Sequence, residues 1–159
     1  MYRRILIAID GSESAQLALD EGVKLAQAMD ATVTAVCVVP HAAQLTDVGP
    51  VFADEQQPYS TAIIETATAA LHDAEERFKQ ANVRGVARAI DAWGEDIAAV
   101  LRRAADESEA DIVVMGTHGR RGWKRMMLGS VAETFVRTTD LPVLLVRHDA
   151  DAEPIPEGL

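Results

Sequence analysis

Residues 4–29 read RILIAIDGSESAQLALDEGVKLAQAM, and the order of parts within them decides the fold. Arg4–Ile9 is a short apolar run that ends at Asp10-Gly11, a pair that favours a turn. Continuous rather than alternating apolar character predicts a strand buried on both faces, as in a parallel sheet. Beyond the turn, Ala15, Ala18, Leu19, Gly22, Val23, Ala26 and Met29 recur at helical spacing. Ser12 stands where a side-chain oxygen can cap the first free N–H groups of that helix.

The same strand-then-helix unit recurs along the chain. Thr32–Val39 (TVTAVCVV) predicts a second strand, stopped by Pro40. His41–Pro58 carries Gly49, Pro50 and Pro58 without a clear period and predicts a long loop. Ile64, Ala67, Leu71, Ala74 and Phe78 mark a second helix, and Arg84–Ile90 a weaker third strand near a sheet edge. Gly94 is expected to open a third helix with Ile97, Val100, Leu101, Ala104 and Ala105 on one stripe. Asp111–Met115 predicts the fourth strand, Leu128, Val131, Ala132, Phe135 and Val136 the fourth helix, and Leu141–Val146 the fifth strand. Five strands alternating with four helices imply a doubly wound parallel sheet with right-handed crossovers. Residues 1–148 read as one domain without internal repeat, and the acidic stretch 149–159, with Pro154 and Pro156, is expected to be disordered. Ligands in such folds bind at the carboxyl ends of the strands, where strand order reverses.

Composition narrows the function. A chain of 159 residues suits one domain with a sizeable core, and with only 4% aromatic residues that core must be built from Ala, Val, Ile and Leu. The net charge of −10 argues against sequence-independent nucleic-acid binding and against docking on anionic lipid, since both need clustered Lys and Arg. Cys37 is the single cysteine, which rules out an internal disulfide. The first residues are too short an apolar run for a signal peptide, and no run approaches the roughly 20 residues of a membrane span, so a cytoplasmic protein is expected.

The chemistry is concentrated in Met115–Val131, MGTHGRRGWKRMMLGSV, which follows a predicted strand and opens a predicted helix. Gly116, Gly119, Gly122 and Gly129 allow positive φ and close approach of a ligand. Ser130 sits at the helix start, where free N–H groups and the helix dipole favour a phosphate. Ordinary turn glycines and an S-x-x-E capping box of Ser130 with Glu133 explain the same residues. No P-loop, no G-x-G-x-x-G after the first strand and no protein-kinase motif is present. His118 has no evident nucleophile beside it, and His41, His72 and His148 lack metal-ligand spacing. Cys37 reads as a small core residue, and Trp93 and Trp123 either cover a site or simply pack.

The spacing Gly116-x2-Gly119-x9-Gly129-Ser130 closely resembles the signature of ATP-binding universal stress proteins. ILIAIDGSESAQLAL is similar to that family's first strand and helix, and DIVVMGTHGRRG and LGSVAETFVRTTDLPVLLVR to its closing segments. The expected fold is then α/β, a five-stranded parallel sheet doubly wound in the Rossmann-like manner, strand order 3-2-1-4-5, with four helices. The resemblance implies that Ala8, Ile9 and Asp10 line a nucleotide pocket, that the backbone of Val38 meets the adenine, and that Met115, Gly116, Thr117, His118, Gly119 and Arg120 border the ribose and phosphates. Gly129, Ser130 and Val131 would hold the phosphate tail. Arg120, Arg121, Lys124 and Arg125 either screen phosphate charge or form a solvated basic loop. ATP is the implied ligand, with Mg2+ carried on its phosphates, and the implied assembly is a homodimer through the last strand, Pro142, Val143, Leu144, Leu145 and Val146. The implied role is an ATP-binding stress-response module that signals to a partner of unknown identity.

Two alternatives remain open on the residues alone. One is a slow ATPase or self-phosphorylating enzyme using Ser12, Ser14, Thr117 or Ser130, although no catalytic base is evident. The other is a dimeric scaffold that binds no nucleotide. A phosphorelay receiver is set aside, because Gly11 follows Asp10 where an acidic cluster is needed and Arg147-His148 stands where a Lys is needed.

Overall fold

The computed structural model describes residues 1–40, 53–118 and 128–147. Its elements are β1 (Arg4–Ala8), α1 (Glu13–Met29), β2 (Thr32–Val39), α2 (Ala53–Gln80), β3 (Gly85–Asp91), α3 (Ile97–Glu107), β4 (Ile112–Gly116), α4 (Ser130–Thr138) and β5 (Val143–Val146). All strand pairs are parallel, in the order β3-β2-β1-β4-β5. The expected fold class and strand order are both found. The expected disordered stretch 149–159 and most of the 41–58 loop lie outside the described residues. No helix among the described residues is long and apolar enough to cross a membrane.

Period-two geometry sorts the core into two layers. Successive side chains of a strand point to opposite faces. Ile5, Ile7, Val33, Ala35, Ile112 and Val114 pack on one face with Ala18, Leu19 and Val23 of α1 and Ala74 and Phe78 of α2. Leu6, Val36, Val113 and Met115 pack on the other with Ala98, Leu101 and Ala105 of α3 and Ala132 and Phe135 of α4. Both faces of β1 are therefore dry, which explains its unbroken apolar run.

Local signals explain most boundaries. Ser12 caps α1, its Oγ accepting from Ala15 N at 3.2 Å. The Asp111 carboxylate accepts from the backbone N–H groups of Arg3 at 2.8 Å and Arg4 at 3.1 Å, which ties the start of β1 to that of β4. Two expectations are corrected. Helix α2 starts at Ala53, so Pro58 falls inside it; near a helix start a proline removes a single ladder bond, which a 28-residue helix can absorb. Gly94 does not open α3. It has φ +84° beside Trp93 at φ +48°, a left-handed pair that turns the chain, and α3 begins at Ile97 after Asp96.

Two substitutions test this packing. Phe135 is fully buried between α4 and the sheet. Phe135→Ala should lower unfolding free energy by about 3–5 kcal/mol in urea titrations. A Cβ on Gly116, at the end of β4, would lie 2.2 Å from Ser14 Oγ and 2.8 Å from the Ser14 carbonyl carbon. Gly116→Ala must push α1 outward and should cost about 1–3 kcal/mol by the same titration, with ligand absent. An unchanged midpoint would show that α1 yields freely there.

Candidate functional site

From β1 the chain turns into α1 on one face, while the segment after β4 leads to α4 on the other. A crevice must open between the two departures, at the carboxyl ends of the central strands. The structure has a cavity of about 470 Å3 there. Its apolar walls come from Ala8, Ile9, Val36, Val38 and Met115 of the sheet and its strand ends, and from Ile97 and Leu101 of α3. Its polar rim is Asp10, Ser12, His118, Gly129 and Ser130.

Short-range bonds fix this rim. Asp10 Oδ1 accepts from Ser12 N at 2.8 Å, which folds the β1–α1 turn on itself. Thr117 N donates to Val146 O at 3.0 Å, and Gly129 N donates to Thr117 O at 2.6 Å, so the ends of β4, β5 and α4 are joined. His118 N donates to Ser14 Oγ at 3.4 Å, and Ser12 Oγ donates to His118 O at 3.5 Å, bridging to the start of α1.

The N-terminus of α4 opens onto this cavity. Gly129 is its N-cap and has no side-chain cap bond. The S-x-x-E capping box expected for Ser130 and Glu133 is therefore not formed. Ser130 is the first helical residue, Glu133 N bonds to Gly129 O at 2.9 Å, and the Glu133 carboxylate pairs with Arg137 at 2.9 Å. The first-turn N–H groups at Ser130, Val131 and Ala132 have no acceptor inside the helix. They supply donors and a partial positive charge at one end of the cavity. Asp10 and His118 are the only ionisable side chains among its described lining residues.

Of the residues singled out in the sequence, Ala8, Ile9, Asp10, Val38, Met115, Gly116, His118, Gly129, Ser130 and Val131 all line this cavity. Thr117 does not; it is 6% exposed, and its Oγ1 lies 2.9 Å from Nδ1 of its neighbour His118. Gly119 and Arg120, with Arg121, Trp123, Lys124 and Arg125, lie outside the described residues. The two described glycines of this stretch act differently from expectation: positive φ is found at neither Gly116 nor Gly129, and Gly116 lacks a side chain because Ser14 occupies that space. Ser14 and Thr117, two candidate phosphate acceptors, are both buried.

Sequence reasoning passed over Ser12, Val36, Ile97 and Leu101 as lining residues. Val36 was findable, because it lies two residues from Val38 and so on the same face of β2. Ile97 and Leu101 were visible only as a helix stripe, and which part of a stripe meets a cavity is a tertiary fact.

Comparison with known proteins gives this geometry its context. Residues 1–147 match the model of the universal stress protein family. A candidate universal stress protein of Staphylococcus aureus (strain USA300) is 30% identical, over 96% of this chain and 90% of that one. The crystal structure of a universal stress protein family member from Burkholderia pseudomallei is 34% identical, with a TM-score of 0.73, over 91% of this chain and 96% of that one. A universal stress protein solved in complex with cAMP is 26% identical, with a TM-score of 0.66, over 91% of this chain and 97% of that one. The strand order, the crevice beside Asp10 and the glycines ahead of α4 thus have one common source: this chain belongs to the universal stress protein family.

Proposed function

We propose that the crevice binds an adenine nucleotide, ATP in the first instance, and that the protein is a nucleotide-dependent regulatory module of the stress response rather than an enzyme of high turnover. The observation that carries this reading is a cavity of about 470 Å3 with apolar walls at one end and the open first turn of α4 at the other. A flat apolar base and an anionic tail match those two ends, and the volume lies in the range of small-molecule sites. The cAMP bound by one solved relative supports an adenine nucleotide as the class of ligand. Mg2+ would travel on the phosphates and keep its waters, with Asp10 the carboxylate on the rim.

Thermal unfolding with Mg·ATP tests the reading. At a hundred times the dissociation constant, binding to the folded state stabilises by about 2.7 kcal/mol, a rise in Tm of about 5–10 °C for a domain of this size. The rise should vanish in the double variant Gly129→Val, Ser130→Val. No rise with ATP, ADP or AMP would sink the proposal and favour a scaffold that binds no nucleotide.

We further propose a homodimer through β5. This strand lies at the edge of the sheet. Val113 N bonds to Pro142 O and Thr117 N to Val146 O, so alternation turns the backbone groups of Val143 and Leu145 outward. Those groups form a short ladder that a second copy can pair across a two-fold axis. Light scattering should give twice the 17.1 kDa chain mass. Val143→Pro, which deletes an outward donor and spares the β4 ladder, should give the monomer. A wild-type monomer at micromolar concentration would refute the interface.

A further inference from the structure

We infer that Trp93 anchors a basic, arginine-bearing segment of a partner protein at the corner of the crevice mouth between β3 and α3. The inference stands apart from the nucleotide reading and needs no ligand in the crevice. Trp93 is 70% exposed, and its ring belongs to neither core layer. It is also held where a bulky residue is rarely found. The chain turns at Ala92–Glu95, with Glu95 N bonded to Ala92 O at 2.8 Å, and the two central residues, Trp93 and Gly94, both have positive φ. Glycine takes that conformation at no steric cost, whereas a tryptophan there carries strain. A large ring that is strained, exposed and outside the core points to a role beyond the fold.

The turn is fixed beside the crevice. Ala92 N bonds to Val39 O at 2.9 Å, which sets the turn next to Pro40 at the end of β2. The Asp91 carboxylate accepts from Trp93 N at 2.8 Å. Ile97 opens α3 two residues after the turn and is 37% exposed. Pro40 and Ile97 are walls of the cavity, and Pro40 is exposed as well. The turn therefore sits on an apolar rim that is continuous with the mouth of the crevice.

Charge selects the partner this rim admits. Asp91, Glu95 and Asp96 flank Trp93 in sequence. Arg103 binds the Glu95 carboxylate at 2.7 and 2.8 Å and so offsets one of the three. Asp96, at the N-cap of α3, makes no side-chain cap bond, so its carboxylate is not used by its own helix. An apolar partner would have to strip water from these carboxylates, and a phosphate or an anionic lipid would be repelled. A second copy would bring the same net charge of −10. A guanidinium meets both parts of the rim. It stacks on an indole face, pairs with a carboxylate, and is more weakly hydrated than an ammonium.

The test is calorimetric titration of the full chain with a hexa-arginine peptide at low ionic strength, for the wild type, Trp93→Ala, Trp93→Phe and Trp93→Asn, with hexa-lysine for comparison and ligand-free melts of each protein. All four proteins carry the same charge, so a general attraction of the peptide to an acidic chain cannot separate them. Trp93→Ala should weaken hexa-arginine about three- to tenfold, and Trp93→Phe, which keeps an aromatic face, should weaken it less. Hexa-lysine should bind the wild type more weakly than hexa-arginine and lose less in Trp93→Ala. Trp93→Asn should lose the peptide as Trp93→Ala does, yet raise the ligand-free Tm by about 1–4 °C, because asparagine tolerates positive φ. In NMR the indole N–H signal absent from Trp93→Phe should shift as hexa-arginine is added. A wild type that does not bind hexa-arginine, equal affinity of the wild type and Trp93→Ala, or a Tm that falls in Trp93→Asn would overturn the inference. So would a light-scattering mass that halves in Trp93→Ala, which would give the rim to a second copy.

Discussion

A parallel sheet must be covered on both faces, and here the covering is divided at β1. Helices α1 and α2 seal one face, α3 and α4 the other. The sheet grows from β1 toward β2 and β3 in one direction and toward β4 and β5 in the other. Neighbouring chains thus leave the sheet toward opposite sides, and no side chain of the strands can fill the gap between them. The cavity is a product of topology before it is a product of any residue, and the residues then decide what it holds. Apolar strand ends give it a dry floor, and the first turn of α4 gives it donors.

Much of this was legible from the chain. Apolar runs of four to eight residues broken by Asp10-Gly11, Pro40 and Gly116 delimit the central strands because β-sheet burial on two faces leaves little room for polar residues. Ser12 was readable as a cap because its chemistry is local. The spacing from Gly116 to Ser130 named the family and so brought Asp10 and Val38 into the same site, although they are far from it in sequence. What could not be read were properties that depend on neighbours. Gly94 has the profile of a helix opener but is used as a left-handed turn. Ser130 and Glu133 have capping-box spacing, but the helix starts one residue earlier than the box requires. Gly116 looks like a ligand-facing glycine, yet its missing side chain is set by Ser14 on a helix a hundred residues earlier.

A core poor in aromatics sets its own spacing rules. Alanines at positions 18, 26, 98, 104 and 105 are nearly or fully buried, so α1 and α3 lie close on the sheet. At Gly22 even a methyl would overlap Ile7, with a Cβ only 2.3 Å from its Cδ1. At Phe78 a glycine makes room for the ring: a Cβ on Gly85 would lie 2.6 Å from it. Close packing of small residues leaves little slack, and interiors of this density pass strain on rather than absorb it. The rim, tied by hydrogen bonds to the start of α1, to β5 and to α4, is attached to that stiff body.

The bond from Gly129 N to Thr117 O has a consequence for how the molecule could be altered. It brings the two ends of the intervening segment within one hydrogen bond of each other, so the segment leaves and rejoins the fold through a single doorway. Loop-closure entropy rises only logarithmically with length, by about 0.6 kcal/mol per doubling. A longer peptide, or a whole reporter domain whose termini lie close together, could therefore be spliced in between them without moving either doorpost. That makes the mouth of the crevice a natural place to build a sensor whose output follows the ligand.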